Sequence, residues 1–435
     1  MVEQLRSCSP DDPVYVELER AVSQLVKSAK KRRQRTRREE RAAADRSLDA
    51  ATATFEQPIQ PDVAGRNGGA VGTRSRPRRC YICKREYRTV DAHYHLLCPP
   101  CADRNRSERT RAVDLSGRTA LVTGGRIKIG FQTALRLLRA GATVVVTTRF
   151  PVDAQHQFAL EPDADEWTDR LTIVEADFLH SGDVVRLTET VFSRLDHLDI
   201  LVNNAAQTIA RPPAYYRDLV AGEHRPPPAI AATVERRIPV SPPELDRATT
   251  LDPTDGLRSF VPGLRDETGQ PLDLRTQNSW RLELHEIDPA EWVSCHIVGA
   301  FVPWLLIRSL RPLLLASPHP ARFVVNVSAM EGVFTMRSKT SNHPHTNATK
   351  AALNMVTRTS GASYATDGIH MCAVDTGWIT DENPHPVKAK QRSKGFRPPL
   401  DVVDGAARVC HPIFSGLEGS PYSGVFLKDY EVAPW

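Results

Sequence analysis

Long apolar runs are missing from this chain: no stretch of 18 consecutive apolar residues occurs in its 435 residues, so no segment reads as a membrane-crossing helix. A secretory leader is missing as well. Residues 1–13 carry Glu3, Asp11 and Asp12 around no apolar centre, and the chain is expected in the cytoplasm with no membrane partner. Cysteine is scarce and unevenly placed. Of eight, four crowd together as Cys80, Cys83, Cys98 and Cys101, while Cys8, Cys295, Cys372 and Cys410 are scattered. That pattern excludes the disulfide framework of a small secreted domain and points to a metal in a reducing compartment. Glycine (24 residues) is rarer than proline (33), which argues for long irregular insertions rather than a minimal fold. No internal repeat is found.

What is present suffices for two or three domains. Hydrophobic residues at 40% and charged residues at 25% can build a packed core. The net charge of +5 is not shared evenly. Residues 1–114 hold 24 Lys and Arg against 16 Asp and Glu, a net +8, and residues 115–435 hold 33 against 36, a net −3. The basic character belongs to the N-terminal third.

Residues 1–49 read as a basic helix. Val14, Val16, Leu18, Val22, Leu25 and Val26 form a rough apolar stripe, no proline follows Pro13, and the second half runs Lys30, Lys31, Arg32, Arg33, Gln34, Arg35, Thr36, Arg37, Arg38. The run is either a solvated face partnered by Glu39 and Glu40 or a patch for a protein or polyanion partner; no aromatic interleaves it to stack on bases. Residues 50–79 have the Ala, Gly, Pro and Arg composition of a flexible linker. Residues 80–113 follow as a metal module. Two Cys-x-x-Cys knuckles, Cys80 with Cys83 and Cys98 with Cys101, are separated by fourteen residues. That spacing closes one tetrahedral thiolate site and predicts structural zinc, with the look of a zinc ribbon or treble clef. His93 or His95 could replace one cysteine; a redox pair of disulfides is the alternative, though it expects a βαβ setting that is lacking here.

From residue 114 to 435 short apolar strands alternate with helical patterns. Residues 119–122, 143–147, 171–174 and 198–202 read as strands, and 131–140 as a helix, which predicts an α/β fold with a doubly wound parallel sheet of the Rossmann type. The first strand enters Thr123-Gly124-Gly125-Arg126-Ile127-Lys128-Ile129-Gly130, and a helix follows. Glycines let a backbone approach a pyrophosphate, and a helix N-terminus favours negative charge.

On these residues the chain resembles the short-chain dehydrogenase/reductases, whose turn is Thr-Gly-x-x-x-Gly-x-Gly. It matches at Thr123, Gly124 and Gly130 and departs at Lys128, which stands where the family has its middle glycine and either adds a cation to the phosphates or points to solvent. Asp177 matches the family's acidic residue near the adenine. Asn203-Asn204-Ala205-Ala206 resembles its Asn-Asn-Ala-Gly segment, and Val374-Asp375-Thr376-Gly377-Trp378-Ile379-Thr380 its Pro-Gly-x-x-x-Thr loop. The resemblance implies a cofactor site of Thr123, Gly124, Gly125, Lys128, Ile129, Gly130, Arg149, Asp177, Asn203, Lys350, Gly377 and Thr380. The second strand ends Thr147-Thr148-Arg149 without a carboxylate, which favours NADP over NAD, because an arginine pairs with a 2′-phosphate where a carboxylate would take the ribose hydroxyls.

The resemblance also implies an altered catalytic centre. Ser328 matches the family's serine and Lys350, in Asn347-Ala348-Thr349-Lys350, its lysine. Four residues before that lysine the family carries tyrosine; here stands Thr346, and His296 replaces the helix asparagine. An aliphatic hydroxyl is too weak an acid to titrate near neutrality, so the proton donor is expected to be an imidazole, His345 first and His343 second. Between Ala206 and His296 lie about 90 Pro-rich residues, of which about 207–290 read as a lid-like insertion at the substrate end of the sheet. The expectation is an NADP-dependent oxidoreductase acting on a small carbonyl or alcohol, homo-oligomeric. The alternative is an inactive NADP(H)-binding sensor or scaffold using the zinc module and basic helix.

Overall fold

The computed structural model describes residues 9, 11–56, 69–236, 258–266, 268–336 and 338–435. The parts of the expected linker and insertion at 57–68 and 237–257 lie outside the described residues. Contacts divide the chain into two compact units, one drawn from residues up to Pro99 and the other running on from Pro100.

The first unit opens with α1, Pro13–Ala50, started by Pro13 and by the Asp12 carboxylate accepting from the Val14 amide at 2.8 Å. Its apolar stripe is not packed: Val14, Val22, Leu25 and Val26 are 51–70% exposed. The basic run is solvated along its whole length, with Arg35 paired to Glu39 at 2.7 Å. Only the last turns of α1 engage the rest of the unit. Asp49, buried, receives Arg74 and, at 3.0 Å, Arg78, while Asp45 accepts from the Ser75 amide at 2.7 Å.

These partners lie on strand β1, Ala70–Arg79, which pairs antiparallel with β2, Glu86–Asp91. Here the linker expectation for residues 50–79 is corrected: its last ten residues are strand. The composition misled because the arginines that look solvated are neutralised by Asp49, and because the Cys80–Cys83 knuckle supplies the turn that joins the two strands. Irregular register between Ala70 and Gly72 and between Thr73 and Arg78 hides the period-two pattern.

The second unit begins with α2, Pro99–Thr110, and then builds a nine-stranded sheet. In chain order its elements are β3 Thr119–Val122, α3 Lys128–Arg139, β4 Thr143–Thr148, α4 Pro151–Ala159, β5 Leu171–Glu175, α5 Ser181–Arg194, β6 Ile200–Asn203, α6 Pro213–Gly222 and β7 Thr233–Glu235. There follow α7 Pro289–His296, a π-helical turn Ile297–Phe301, α8 Val302–Ser309, β8 Arg322–Ser328, α9 Pro344–Thr366, β9 Ile369–Asp375, α10 His385–Ser393, α11 Val402–Leu417, β10 Val425–Lys428 and β11 Glu431–Ala433. The strand order is β11-β10-β9-β8-β6-β3-β4-β5-β7, parallel throughout except for β11 on β10. The order reverses at β3, which opens the usual ligand crevice beyond the C-terminal strand ends.

Alternation along the strands serves two cores. Ala120, Val122, Val144, Val146, Ile200 and Val202 face a cluster with Phe131, Leu135 and Leu138 of α3 and Val409 and Ile413 of α11. Leu121, Val145, Leu201 and Val324 face another with Val184, Leu187 and Val191 of α5 and Val302, Leu306 and Ile307 of α8. Burial on both faces explains the near-continuous apolar strands. The helical run Pro289–Ser309 is long and apolar enough to cross a membrane by composition; it places Val298, Val302, Leu306 and Ile307 in this second core.

Candidate active site

The turn after β3 is fixed by hydrogen bonds to β4 and β6. Thr123 is buried, and its Oγ1 accepts from the amides of Asn204 and Ala205, each at 3.0 Å, tying β3 to β6. Asn204 Nδ2 donates to the carbonyls of Thr123 at 2.9 Å and Gly124 at 3.1 Å. Gly124 sits at φ +70 and donates to Thr147 Oγ1 at 3.2 Å. At Gly130 a Cβ would run into the Gly124 carbonyl and Asn204 Nδ2, so helix and turn meet at a distance only glycine permits. Helix α3 begins without a side-chain cap and without an acid in its first turn. Its amides and dipole are therefore available to an anion, and the residues present fit a dinucleotide's diphosphate.

Lys128 keeps the backbone of the glycine it replaces, at φ 53, a conformation that costs a side-chain-bearing residue about 1–2 kcal/mol. Its ammonium lies 3.9 Å from Glu382, and the side chain is partly exposed. Glu382 also faces Arg211 at 3.5 Å, and Arg211 pairs with Asp273 at 2.9 Å. Ile129 packs against the core beside α11.

Beyond β4, Arg149 lies over the Tyr216 ring at 4.5 Å and the Phe150 ring at 5.6 Å, with Asp177 at 3.9 Å; its side chain is 37% exposed. Asp177 Oδ1 accepts from the Leu179 amide at 3.0 Å. Asn203 is interior: its Nδ2 donates to Asn326 Oδ1 at 2.8 Å, and Asn326 passes the chain on to Thr357 at 2.9 Å. In the loop after β9, Gly377 takes φ +81, and Thr380 Oγ1 donates to Glu382 at 3.3 Å.

The insertion reaches both the sheet and the glycine-rich turn. Its strand β7 extends the sheet beside β5. Tyr216 of α6 stacks on Phe150, Gln270 Oε1 accepts from Arg126 of the glycine-rich turn at 3.1 Å, and the Arg211 network reaches Lys128 through Glu382. Much of it therefore covers the turn itself. Burial works against ionisation of Asp273, but Arg275 and Arg211 outweigh it and hold the carboxyl below its usual range; Lys128 and Arg211 do the same for Glu382.

On the reaction side, α9 carries His345, Thr346 and Lys350. Lys350 is buried and donates to the Val327 carbonyl at the end of β8 at 2.8 Å; burial lowers its pKa to about 8. Ser328 Oγ donates to Asn354 Oδ1 at 2.6 Å, inside the domain. Thr346 Oγ1 donates to the Thr208 carbonyl at 3.0 Å, and His345 Nε2 lies 3.2 Å from the same oxygen. Burial pushes His345 below the usual imidazole value, opposed by Glu291. His343 takes φ 43 ahead of α9, stacks on Trp280 with centroids 4.0 Å apart, and holds the Trp280 carbonyl at Nδ1, 2.9 Å. His296 Nδ1 is shared between the Trp292 carbonyl at 3.2 Å and Thr349 Oγ1 at 3.0 Å.

Sequence reasoning passed over Thr147 and Asn204, which shape the turn, and Arg211 and Glu382, whose role depends on partners far along the chain. It also passed over Glu291 and Cys295, which lie beside His345. Only Asn204 carried a signal, its place in the Asn-Asn-Ala-Ala segment.

The four sulfurs of Cys80, Cys83, Cys98 and Cys101 lie within 4.8 Å of one another. The Sγ atoms of Cys83 and Cys98 are 3.6 Å apart, close to the roughly 3.8 Å edge of a tetrahedron with sulfurs about 2.3 Å from a central ion. The Cys98 amide points at Cys80 Sγ at 3.4 Å. His95 is turned instead to Thr54, its Nδ1 2.9 Å from Oγ1. The donor set fits a tetrathiolate zinc.

The family model for short chain dehydrogenases matches residues 118–218. An uncharacterized protein of Acanthamoeba polyphaga mimivirus is 33% identical over 355 residues, which is 78% of this chain and 71% of that relative. A short chain dehydrogenase/reductase of Colletotrichum higginsianum is 22% identical over 332 residues, 74% of this chain and 95% of the relative. Among solved structures, the Pseudomonas aeruginosa RhlG/NADP active-site complex is 19% identical with a TM-score of 0.47, covering 72% of this chain and 95% of that one. The family model spans the turn after β3 and the strands β3 to β6, and the chain belongs to the short-chain dehydrogenase/reductase superfamily.

Proposed function

We propose that the protein is an NADP-dependent oxidoreductase interconverting a carbonyl and an alcohol, with a structural zinc in its four-cysteine module. Lys350 carries the reading: it is buried at the end of β8, donates to Val327, and has its pKa lowered to about 8. An ammonium held there favours hydrogen bonding to ribose hydroxyls and stabilises an alkoxide electrostatically. Arg149 at the end of β4 supports the 2′-phosphate. The uncapped start of α3 and the bare Gly130 hold the diphosphate. When bound, the dihydronicotinamide supplies the hydride. The protein's tasks are to orient the two carbons, exclude water with the insertion, and provide for the proton that the new alkoxide takes up.

Thr346 does not fill that last task, because its hydroxyl is a weak acid and already faces Thr208. The imidazoles of His343 and His296 have partners at Nδ1. His345 alone of the three keeps a buried ring nitrogen, Nδ1, without a partner. A second reading, an NADP(H)-binding sensor without turnover, is favoured by one observation: the hydroxyls of Ser328 and Thr346 both bond inward. Nicotinamide turnover against a panel of carbonyls and alcohols decides between the two. Oxidation of NADPH with any member, abolished in Lys350→Met, supports the enzyme; tight NADPH binding with no turnover across the panel supports the sensor.

A further inference from the structure

We propose that Glu291, Cys295 and His345 form a second metal site, separate from the four-cysteine module, which takes one divalent ion of the zinc class. Glu291 and Cys295 are four residues apart on α7 and so share one helix face. His345 arrives from the first turn of α9. One ligand atom from each lies within 4.8 Å of the other two, and His345 Nε2 faces Glu291 Oε1 at 3.8 Å. Small movements bring such a set onto an ion at about 2.0–2.3 Å.

The environment is that of a ligand set rather than of three unrelated core residues. Cys295 and His345 are both 0% exposed. His345 Nδ1 has no hydrogen-bond partner, and a buried polar atom left unpaired costs about 1–3 kcal/mol. Nε2, the nitrogen that faces Glu291, also lies at the Thr208 carbonyl, which holds the ring toward the carboxylate. The Glu291 carboxylate is oriented in the same way, by the Ala210 amide at 2.6 Å and by the Ser279 hydroxyl. Thiolate, imidazole and carboxylate together suit zinc rather than calcium or magnesium. Three protein ligands leave a fourth position on a tetrahedral ion, as in catalytic rather than structural zinc sites. An ion so held would polarise a carbonyl oxygen next to the position from which the family's tyrosine is missing. That role rests on the oxidoreductase reading; the binding of the ion does not.

The test is metal content of the full chain, measured apart from turnover. Wild type purified without chelator is expected to hold about two zinc per chain, falling to about one in Cys295→Ala and to about one in the Cys80→Ser, Cys98→Ser double variant. In that double variant, cobalt(II) added in place of zinc should still show a thiolate-to-cobalt charge-transfer band, and Cys295→Ala should abolish the residual band. About one zinc in wild type, unchanged by Cys295→Ala, overturns the proposal. If Cys295→Ala does not fold, Glu291→Gln, at a half-buried position, is read instead: about tenfold weaker retention of the second metal against a chelator supports the site, and unchanged metal content and retention overturn it. Loss of turnover with both metals retained would instead count against the oxidoreductase reading.

Discussion

Arg149→Ala should separate the two dinucleotides. In the folded chain the guanidinium lies over Tyr216 at 4.5 Å and Phe150 at 5.6 Å, with Asp177 at 3.9 Å. Stacked in this way it is pre-oriented, and a 2′-phosphate placed against it gains charge-assisted hydrogen bonds worth about 1.5–3 kcal/mol. Removing it should therefore weaken NADPH binding by about 10- to 150-fold. NADH has no 2′-phosphate; its affinity should move by less than about fivefold, the residue of a lost cation–π contact of about 0.5–1 kcal/mol that positions Tyr216. The side chain is 37% exposed, so the NADPH effect should shrink as salt rises and the screening length falls below about 8 Å. Asp177 competes with the phosphate for the same cation, and Asp177→Asn should tighten NADPH. Arg149→Lys should fall between, since an ammonium keeps charge but loses the fork and the stacking. Fluorescence titration of both nucleotides reads all of this. Equal losses for NADPH and NADH, or an unchanged NADPH affinity in Arg149→Ala, would refute the assignment.

Other consequences follow from the same geometry. The Cys80→Ser, Cys98→Ser double variant should lose one zinc per chain and, because a structural metal contributes folding free energy directly, should lose protease resistance in the first unit; unchanged metal content argues against the module. Gly130→Ala forces a methyl into the Gly124 carbonyl and Asn204, so it should destabilise the fold by about 1–3 kcal/mol and lower the affinity for both nucleotides alike, read by denaturant melts and titration. Asp273 and Glu382 have depressed pKa values in the folded chain. Their stabilisation is present above the ordinary carboxylate range, near pH 4, and is lost as pH falls through the lower folded values. Protection against hydrogen exchange in residues 208–236 and 268–288, relative to the unfolded rate at each pH, should therefore fall below about pH 4, and Asp273→Asn should show the lost protection already at neutral pH.

The central strands were legible because burial on both faces makes them apolar and β-branched, as in Val144, Val145 and Val146, and because the turn needs Gly124 and Gly130 in fixed places. The edges were not. β7 and β11 have three residues each, too short for a period, and β1 hides its pairing behind arginines neutralised from α1. Side-chain direction was the larger gap. Ser328 and Thr346 were identified by position, yet which way a hydroxyl bonds depends on Asn354 and Thr208, 26 and 138 residues away. For the same reason the Glu291 and Cys295 pair carried no signal: its third member lies 50 residues on, beyond α8 and β8. Lys128 could be read as a departure from the family's turn, but its partner Glu382 could not.

The insertion is fastened at both of its roots to the first turn of α9. Thr208 stands at the root of the insertion, and its carbonyl receives Thr346 and faces His345. A phenol at position 346 would carry its oxygen several ångströms past that carbonyl and leave the Thr208 oxygen without the hydroxyl it now accepts. With threonine there, the first turn of α9 becomes an anchor for the chain leaving β6. Glu291, at the far end of the insertion, returns to the same place, where its carboxylate accepts from the Ala210 amide and lies beside His345. Both roots of the insertion are thus fastened around the residues that occupy the place of the missing tyrosine. The cofactor half needs none of this, because its turn is held by backbone, Thr123 and Asn204.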